Sequence, residues 1–184
     1  MRLASALALP AALLAAGCSG GGDATSTPVP SSTNPSAMRL ISDAFPDGGT
    51  IPVDYTCTGR GTSPPLRWSG APAGARAFAL IVDDPDAPRG TFDHWIIYDL
   101  PASTSGLASG AGIGGDAKTG ANGRGAAEYT GPCPPPGPPH HYQFRLYALD
   151  AALGLAAGKS KSDVEAAMRG HILAQATLIG LYGR

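Results

Sequence analysis

The stretch Asp83–Trp95, which reads DDPDAPRGTFDHW, decides the fold that we predict for this chain. One apolar run, Phe78–Val82, precedes it, and a second, Trp95–Tyr98, follows it. Short runs rich in β-branched and aromatic residues are typical of buried strands, so we expect the stretch to form a loop at one end of a sheet. Pro85 and Pro88 fix φ and remove backbone donors, which makes this loop stiff.

The predicted loop concentrates acidic side chains beside a histidine, at Asp83, Asp84, Asp86, Asp93 and His94. A second polar segment, Gly131–Tyr142, reads GPCPPPGPPHHY. It leads into Tyr142–Leu149, whose apolar residues alternate as in a strand with one buried face. Several carboxylates held close together on a rigid loop are destabilising unless they have hydrogen-bond partners. We therefore expect the second polar segment to meet this loop in space.

Five segments, in this order along the chain, resemble the phosphatidylethanolamine-binding proteins, and most of all the bacterial Raf kinase inhibitor-like branch. They are Thr62–Leu66, Asp84–Pro88, His94-Trp95, Gly131–Pro135 with His140–Phe144, and Met168–Ala174. The resemblance extends from Arg39 to the C-terminus. It implies one mostly β domain of the α+β class, with a large antiparallel sheet, a smaller sheet packed on it and a C-terminal helix.

The resemblance also implies an anion pocket, formed by Asp84, Asp86, His94, Pro132, His140 and Tyr142. We expect this pocket to bind phosphate or a phosphoryl headgroup, and the family implies regulation of a kinase or other enzyme through it. A carboxylate beside an imidazole favours the charged form of histidine. Asp84 is therefore expected to set the charge of at least one of His94 and His140. This chain has His141 where relatives usually have arginine, and it carries the extra prolines Pro138 and Pro139.

Purely structural roles are the alternative for several of these residues. Asp83 and Asp93 would then bond the loop backbone, as Asp commonly does in turns. Trp95 would belong to the core. Asp84 with both histidines would form a buried hydrogen-bond network that stabilises the fold.

A metal-dependent or acid–base hydrolase using the same Asp and His residues is the alternative function. The chain has neither the HExxH nor the CxxC pattern of zinc sites, and we expect no metal, no cofactor and no catalytic activity. Charged residues make up 15% of the chain and the net charge is −1, which excludes a basic surface for nucleic acid.

The N-terminus resembles a bacterial lipoprotein signal. Met1-Arg2 precedes the apolar run Leu3–Ala16, and small residues lead into Cys18. We predict a lipoprotein signal peptide over residues 1–17, lipidation of Cys18, a flexible tether over 18–37 and the domain over 38–184. The protein would be anchored to the bacterial cell membrane on its extracytoplasmic or periplasmic face. An ordinary secretory signal with an incidental cysteine is the alternative, and it also predicts export.

Two cysteines, Cys57 and Cys133, remain once Cys18 is assigned to lipid. An oxidising compartment favours pairing, so we predict a disulfide between them, with two free thiols as the alternative.

The remaining elements follow from local patterns. We predict strands at Leu40–Phe45 and, as a sheet edge, at Ile51–Tyr55, and a long surface loop at Ala102–Glu128. A capping box, Ser162 with Glu165, predicts a helix that continues to Gln175, with His171 as a hydrogen-bonded packing residue on its apolar face. Thr177–Tyr182 is expected to be a final strand or a docked tail.

Overall fold

The computed structural model describes residues 37–110 and 112–184, and two β-sheets dominate this part of the chain. The strands are β1 (Arg39–Ile41), β2 (Gly49–Thr50), β3 (Leu66–Ser69), β4 (Ala77–Asp84), β5 (Phe92–Pro101), β6 (Gly106–Leu107), β7 (Lys118–Thr119), β8 (His140–Leu149) and β9 (Ile172–Tyr182). The one helix in the described residues, α1 (Lys161–Met168), precedes β9, and a 3-10 turn covers Val53–Tyr55. The predicted signal peptide and all of the tether except Ala37 lie outside the described residues.

The larger sheet has six strands in the order β2-β9-β8-β4-β5-β7, and the smaller has three in the order β1-β3-β6. Every pairing is antiparallel except that of β2 with β9. This architecture, with the helix near the C-terminus, confirms the predicted fold class. Because β4 and β8 are antiparallel neighbours, the last residues of β4 lie beside the first residues of β8.

The two faces of the large sheet are covered differently. Even-numbered residues of β4, such as Leu80 and Val82, join the core cluster that also contains residues of the small sheet. Odd-numbered residues, such as Ala79 and Ile81, pack in a second cluster with Val164 of α1. Since successive side chains of a strand point to opposite faces, the two aspartates that end β4 are directed to different environments.

The strands around the acidic stretch are longer than the apolar runs alone predict. β4 includes Asp83 and Asp84, and β5 begins at Phe92, so the connecting loop spans only residues 85–91. The prediction that Asp83 and Asp93 act as turn residues is wrong, because both lie in strands. Ladder hydrogen bonds from both neighbouring strands continue the β structure past the last apolar residue of β4.

The late helix differs most from the prediction. It begins at Lys161, and Ser160 with Asp163 forms its capping box rather than Ser162 with Glu165. It ends at Met168, and residues that continue the helical spacing in the sequence form β9, the longest strand, instead. Pairing with all ten residues of β8 outweighs the local helical pattern. His171 is therefore not on a helix face; it lies in a turn, exposed, with Nδ1 2.7 Å from Asp150 Oδ1.

Two shorter predictions also need correction. Ile51–Tyr55 is not a strand: the 3-10 turn occupies most of it, and the preceding strand β2 ends at Thr50. The first strand is shorter than Leu40–Phe45 and stops at Ile41. The long connection after β5 is a loop interrupted by the two-residue strands β6 and β7, close to the prediction.

The predicted disulfide is present between Cys57 and Cys133, whose Cα atoms are 5.4 Å apart. Beside it, the backbone N–H of Cys57 donates to the Pro132 carbonyl at 3.0 Å. The 3-10 turn is thus joined covalently and by a hydrogen bond to the proline-rich segment ahead of β8.

Candidate functional site

A cleft of about 370 Å³ opens at the end of the large sheet where β4 ends and β5 and β8 begin. The residues that line it come from three segments of the chain: Asp84, Ala87, Pro88, Arg89, Gly90, Phe92 and His94; Gly123 and Arg124; and Thr130, Gly131, Cys133, Pro134, Pro135 and His140. The Pro-rich segment supplies one wall. Arg184 fixes that wall from behind, because its Nε donates to the Pro134 carbonyl at 2.6 Å.

Asp84 and His140 join the two polar segments in the cleft. His140 Nδ1 lies 2.7 Å from Asp84 Oδ2, and the side chains are 12% and 5% exposed. Asp84 Oδ1 also accepts the backbone N–H of Asp86 at 2.9 Å. This contact confirms that the two polar segments meet. A carboxylate only accepts, so His140 donates from Nδ1 and its other ring nitrogen, Nε2, is available to a ligand.

Asp86 makes a second, more exposed link between the same segments. Its Oδ2 accepts both the backbone N–H and the Nδ1–H of His141, each at 2.8 Å. These two hydrogen bonds lower the pKa of the Asp86 carboxyl. His141 therefore fastens the β4–β5 loop to the start of β8.

His94 lines the cleft, but its protonation differs from the prediction of a charged imidazole. Its Nδ1 lies 2.6 Å from the Thr130 carbonyl oxygen, and the side chain is buried. Burial lowers the pKa of His94 and outweighs the Thr130 hydrogen bond and the negative charge of Asp84, which raise it. The imidazole is therefore favoured in its neutral form. Asp84 contacts His140 and not His94, so the prediction of a carboxylate-charged imidazolium does not apply to His94.

Aromatic rings pack around the two histidines. Tyr142 meets His94 edge-on at a centroid distance of 5.1 Å and lies roughly parallel to His140 at 6.5 Å, while Phe92 meets His94 edge-on at 4.9 Å. The Tyr142 hydroxyl is buried and makes no hydrogen bond within the part of the chain described. Burial, followed by the charge of Asp84, raises the pKa of Tyr142, so the phenol keeps its proton as an unused donor.

A separate ion cluster lies beside the site, on the α1 face of the sheet. Asp83 accepts from both the Arg145 guanidinium and the Lys161 ammonium, and Lys161 Nζ also lies 3.3 Å from Asp93 Oδ1. Burial lowers the pKa of Lys161, but the hydrogen bond and charge of Asp83 outweigh burial and raise it overall. Both cations stay charged, and this cluster accounts for two of the four acidic residues in the stretch.

The predicted ligand residues are thus divided between the cleft and its support. Asp84, His94 and His140 line it. The other three predicted residues make supporting contacts. Asp86 bonds His141, and the Pro132 carbonyl accepts from Cys57. Tyr142 packs against the rings of His94 and His140. Trp95 is buried in the core beside Tyr129, as predicted. The binding role of the six residues stays a prediction.

Sequence reasoning missed two cleft residues, Arg89 and Arg124. Arg89 lies within the quoted acidic stretch, where a lone cation opposite several carboxylates is a usable signal. Arg124 lies in a Gly- and Ala-rich loop without periodicity, and only the fold brings it to the cleft.

Within residues 37–110 and 112–184, no group of three or more His, Cys, Asp or Glu side chains is arranged to hold a metal ion. In the same residues, no helix has the length and apolar character needed to cross a membrane.

Comparison with known proteins identifies relatives for most of the chain. Residues 41–183 match the family model for phosphatidylethanolamine-binding protein. A UPF0098 protein of Methanothermobacter thermautotrophicus is 49% identical over 151 residues, which are 80% of this chain and 99% of the relative. A Mycobacterium tuberculosis protein named "Putative lipoprotein LppC" is 41% identical over 185 residues, covering 90% of this chain and 88% of the relative. The crystal structure of E. coli YbcL, described as a member of the mammalian PEBP family, covers 80% of this chain and 98% of its own at 31% identity, with a TM-score of 0.75.

Proposed function

The chain belongs to the phosphatidylethanolamine-binding protein family, and from that premise we propose that its cleft binds phosphate or another small anionic group. The observation that carries the proposal is the Asp84–His140 contact, which puts an imidazole from one polar segment against a carboxylate from the other in a shared cleft. Family membership supports binding as the general function. The anion and the residues that bind it are our proposal.

Two imidazoles contact the anion on this proposal. Asp84 holds Nδ1 of His140, so a His140 ring protonated at both nitrogens donates from Nε2. His94 carries its proton on Nδ1, toward Thr130, so its Nε2 is a lone pair that accepts from an anion retaining a proton. Tyr142 packs against both rings, and an ordered water could satisfy its buried hydroxyl, which has no partner in the described residues. The backbone of the proline-rich wall contributes little, since proline has no N–H.

The test is calorimetric titration of the full-length protein with inorganic phosphate. His140→Asn keeps an amide donor for Asp84 but deletes Nε2. A hydrogen bond to a charged group contributes roughly 1.5–3 kcal/mol, so we expect about a tenfold or greater loss of affinity. The matched control is His171→Asn, because His171 forms the same 2.7 Å pair with Asp150 outside the cleft. Equal phosphate affinity in wild type and both variants would refute the anion site.

The proposal extends to the regulation of a kinase or another enzyme through the same pocket. In that case phosphate and the regulated enzyme compete for the cleft. His140→Asn would then weaken both interactions, whereas His171→Asn would change neither. Retention of a kinase on immobilised protein, measured with and without added phosphate, tests this extension.

We also propose that the protein is exported and anchored to the membrane through lipid on Cys18. The relative named as a lipoprotein supports this, together with the apolar run that ends in Ala-Gly-Cys. Cys18 itself lies outside the described residues. Membrane fractionation of cells that express Cys18→Ala should move the mature protein to the soluble fraction. A variant that has lost its signal peptide and still fractionates with the membrane as wild type does would contradict lipidation.

A further inference from the structure

The floor of the cleft is poor in positive charge. The Thr130 carbonyl can only accept, so His94 must carry its proton on Nδ1, and the neutral ring then has a lone pair on Nε2. Burial, which lowers the pKa of His94, favours this neutral ring. Asp84 adds a negative charge to the same floor. His140, which contacts Asp84, is the one group in this part of the cleft that can carry a positive charge, so permanent cations must come from elsewhere.

Arg89 and Arg124 are the cations at the cleft. Both line it and both are exposed. Neither guanidinium forms an ion pair or a side-chain hydrogen bond within the described residues, unlike Arg60, Arg67 and Arg145, which all contact aspartates. A guanidinium is charged at every physiological pH and matches the oxygens of a phosphoryl group in a bidentate manner.

The turn that carries Arg124 is built around a buried asparagine. The Asn122 side-chain oxygen accepts the backbone N–H of Arg124 at 2.9 Å and of Ala126 at 3.1 Å. Its amide nitrogen donates to Thr130 Oγ1 at 2.8 Å and to the Glu128 carbonyl at 3.2 Å. Asn122 is 5% exposed, and a buried amide is tolerated only when its hydrogen bonds are satisfied in this way. The backbone position of Arg124 is therefore specified by a buried side chain.

The same turn is attached to the strand that carries His94. The Thr130 N–H donates to the His94 carbonyl at 2.9 Å, and the Gly123 N–H donates to the Asp93 carbonyl at 2.8 Å. Gly123 also lies against the Phe92 ring so closely that an added Cβ would be 2.6 Å from a ring carbon. The backbone that carries Arg124 and the imidazole of His94 are thus held in a defined relation by three contacts.

We propose that Arg89 and Arg124 form the solvent-exposed part of the anion site, an inference that rests on the proposed anion-binding function. These two arginines make the cleft selective for phosphate monoesters over phosphate diesters. A monoester carries between about −1.5 and −2 charge at neutral pH because its second pKa is about 6, which suits two guanidiniums. A diester carries a single negative charge.

The neutral His94 adds a contact for the minority of the monoester that keeps one proton at neutral pH. This singly charged form can donate its O–H to His94 Nε2, whereas the dianion is bound by the guanidiniums without that hydrogen bond. A diester has no such proton, and its oxygens would face the lone pair of Nε2. The head group of an intact phospholipid is a phosphodiester, so it is the disfavoured ligand. A soluble phosphorylated molecule is the favoured one.

The experiment compares methyl phosphate with dimethyl phosphate by calorimetric titration of the full-length protein at pH 7. We expect wild type to bind the monoester at least about tenfold more tightly. Arg124→Gln and Arg89→Gln should each weaken monoester binding by about fivefold, less than a fully buried charged hydrogen bond because both arginines are exposed. The loss should shrink at high salt, since exposed charges are screened.

The matched control is Arg76→Gln. Arg76 is exposed and forms no ion pair with another described residue; it immediately precedes β4, at the end of this strand opposite Asp84. The Arg76→Gln substitution removes the same charge as the two test variants. The affinity of this variant for methyl phosphate should stay within about twofold of wild type, because exposed charges beyond a Debye length are largely screened. Arginine variants that bind methyl phosphate as wild type does, or wild type that binds both esters equally, would overturn the inference. If His140→Asn also bound as wild type does, the proposed function itself would fail.

Discussion

Asp83 and Asp84 are neighbours in β4, and both are almost completely buried, yet the fold treats them in opposite ways. Asp83 accepts from two permanently charged groups, the Arg145 guanidinium and the Lys161 ammonium. Among the described residues Asp84 has no arginine or lysine partner; it accepts the Nδ1–H of His140 and a backbone N–H. One residue of difference along the strand moves the carboxylate from the α1 face to the cleft.

The comparison shows how a structural charge differs from a functional one. Asp83 is satisfied by Arg145 and by Lys161, and Lys161 also lies beside Asp93, so the charges of this cluster are paired with one another. The imidazole that satisfies Asp84 has a second nitrogen, which can contact a ligand. A buried carboxylate with an imidazole partner on a cleft is thus a better indicator of a binding site than the number of acidic residues in a loop.

The largest effect should come from removing the disulfide between Cys57 and Cys133. This bond lies at the cleft, on the side of Asp84, because Cys133 lines the cleft. It closes a segment of 76 residues, so the chain-entropy model gives a stabilisation of about 4 kcal/mol. We expect Cys57→Ser with Cys133→Ser to lower the free energy of unfolding by about that amount in urea titrations. Amide exchange at residue 57 should accelerate, because its N–H contacts Pro132. Single variants as stable as wild type would contradict a stabilising bond.

Asp83→Asn should break the structural half of the comparison. It leaves Arg145 and Lys161, whose side chains are 23% and 19% exposed, without their shared carboxylate. Removing one partner of a buried ion pair costs about 3–5 kcal/mol. Because the two cations are partly exposed, we expect a loss of unfolding free energy at the lower end, about 3 kcal/mol. Urea unfolding measures it, and phosphate affinity of the folded variant should change little. A stability loss below about 1 kcal/mol would show that water replaces the carboxylate.

Asp84→Asn should weaken the contact with His140 and, with it, phosphate binding in the cleft. We expect a smaller stability change than for Asp83→Asn and about a tenfold weaker affinity for phosphate, because a neutral amide holds the Nδ1–H of His140 less strongly than a carboxylate does. Calorimetric titration of the two asparagine variants side by side tests the contrast directly. Tighter phosphate binding by Asp84→Asn would mean that the carboxylate only repels the anion.

The smallest effect concerns the pH dependence of stability through His94. Burial lowers its pKa in the folded state, so between that value and about 6.5 the unfolded chain binds more protons than the folded one. Stability contributed by the neutral ring is therefore present above pH 6.5 and is lost as pH falls. His94→Asn, which keeps a donor for Thr130, should reduce the slope of unfolding free energy against pH in this window, by a fraction of about 1.4 kcal/mol per pH unit.

Urea titrations at several pH values between 5 and 8 measure this slope. His171→Asn is again the control, because His171 is exposed and lies outside the cleft. An unchanged slope in His94→Asn would contradict the burial effect.

The sequence by itself determined the elements whose signals are local. Strands β4, β5 and β8 follow from apolar runs and alternation, because a strand buried on a known face needs that pattern whatever its neighbours are. Ordered motifs also identified Asp84, His94 and His140 as cleft residues. The cysteine pair was predictable because only two cysteines were left to join.

Only the tertiary structure decided the contacts between distant segments. Residues after Met168 have helical spacing but become β9 because β8 offers them a full antiparallel ladder. The cations of Asp83 come from 62 and 78 residues away, and no local pattern relates them to it. Arg124 reaches the cleft through a turn built on Asn122. Periodicity describes one segment at a time, whereas charge pairing and site assembly depend on which segments the sheet places side by side.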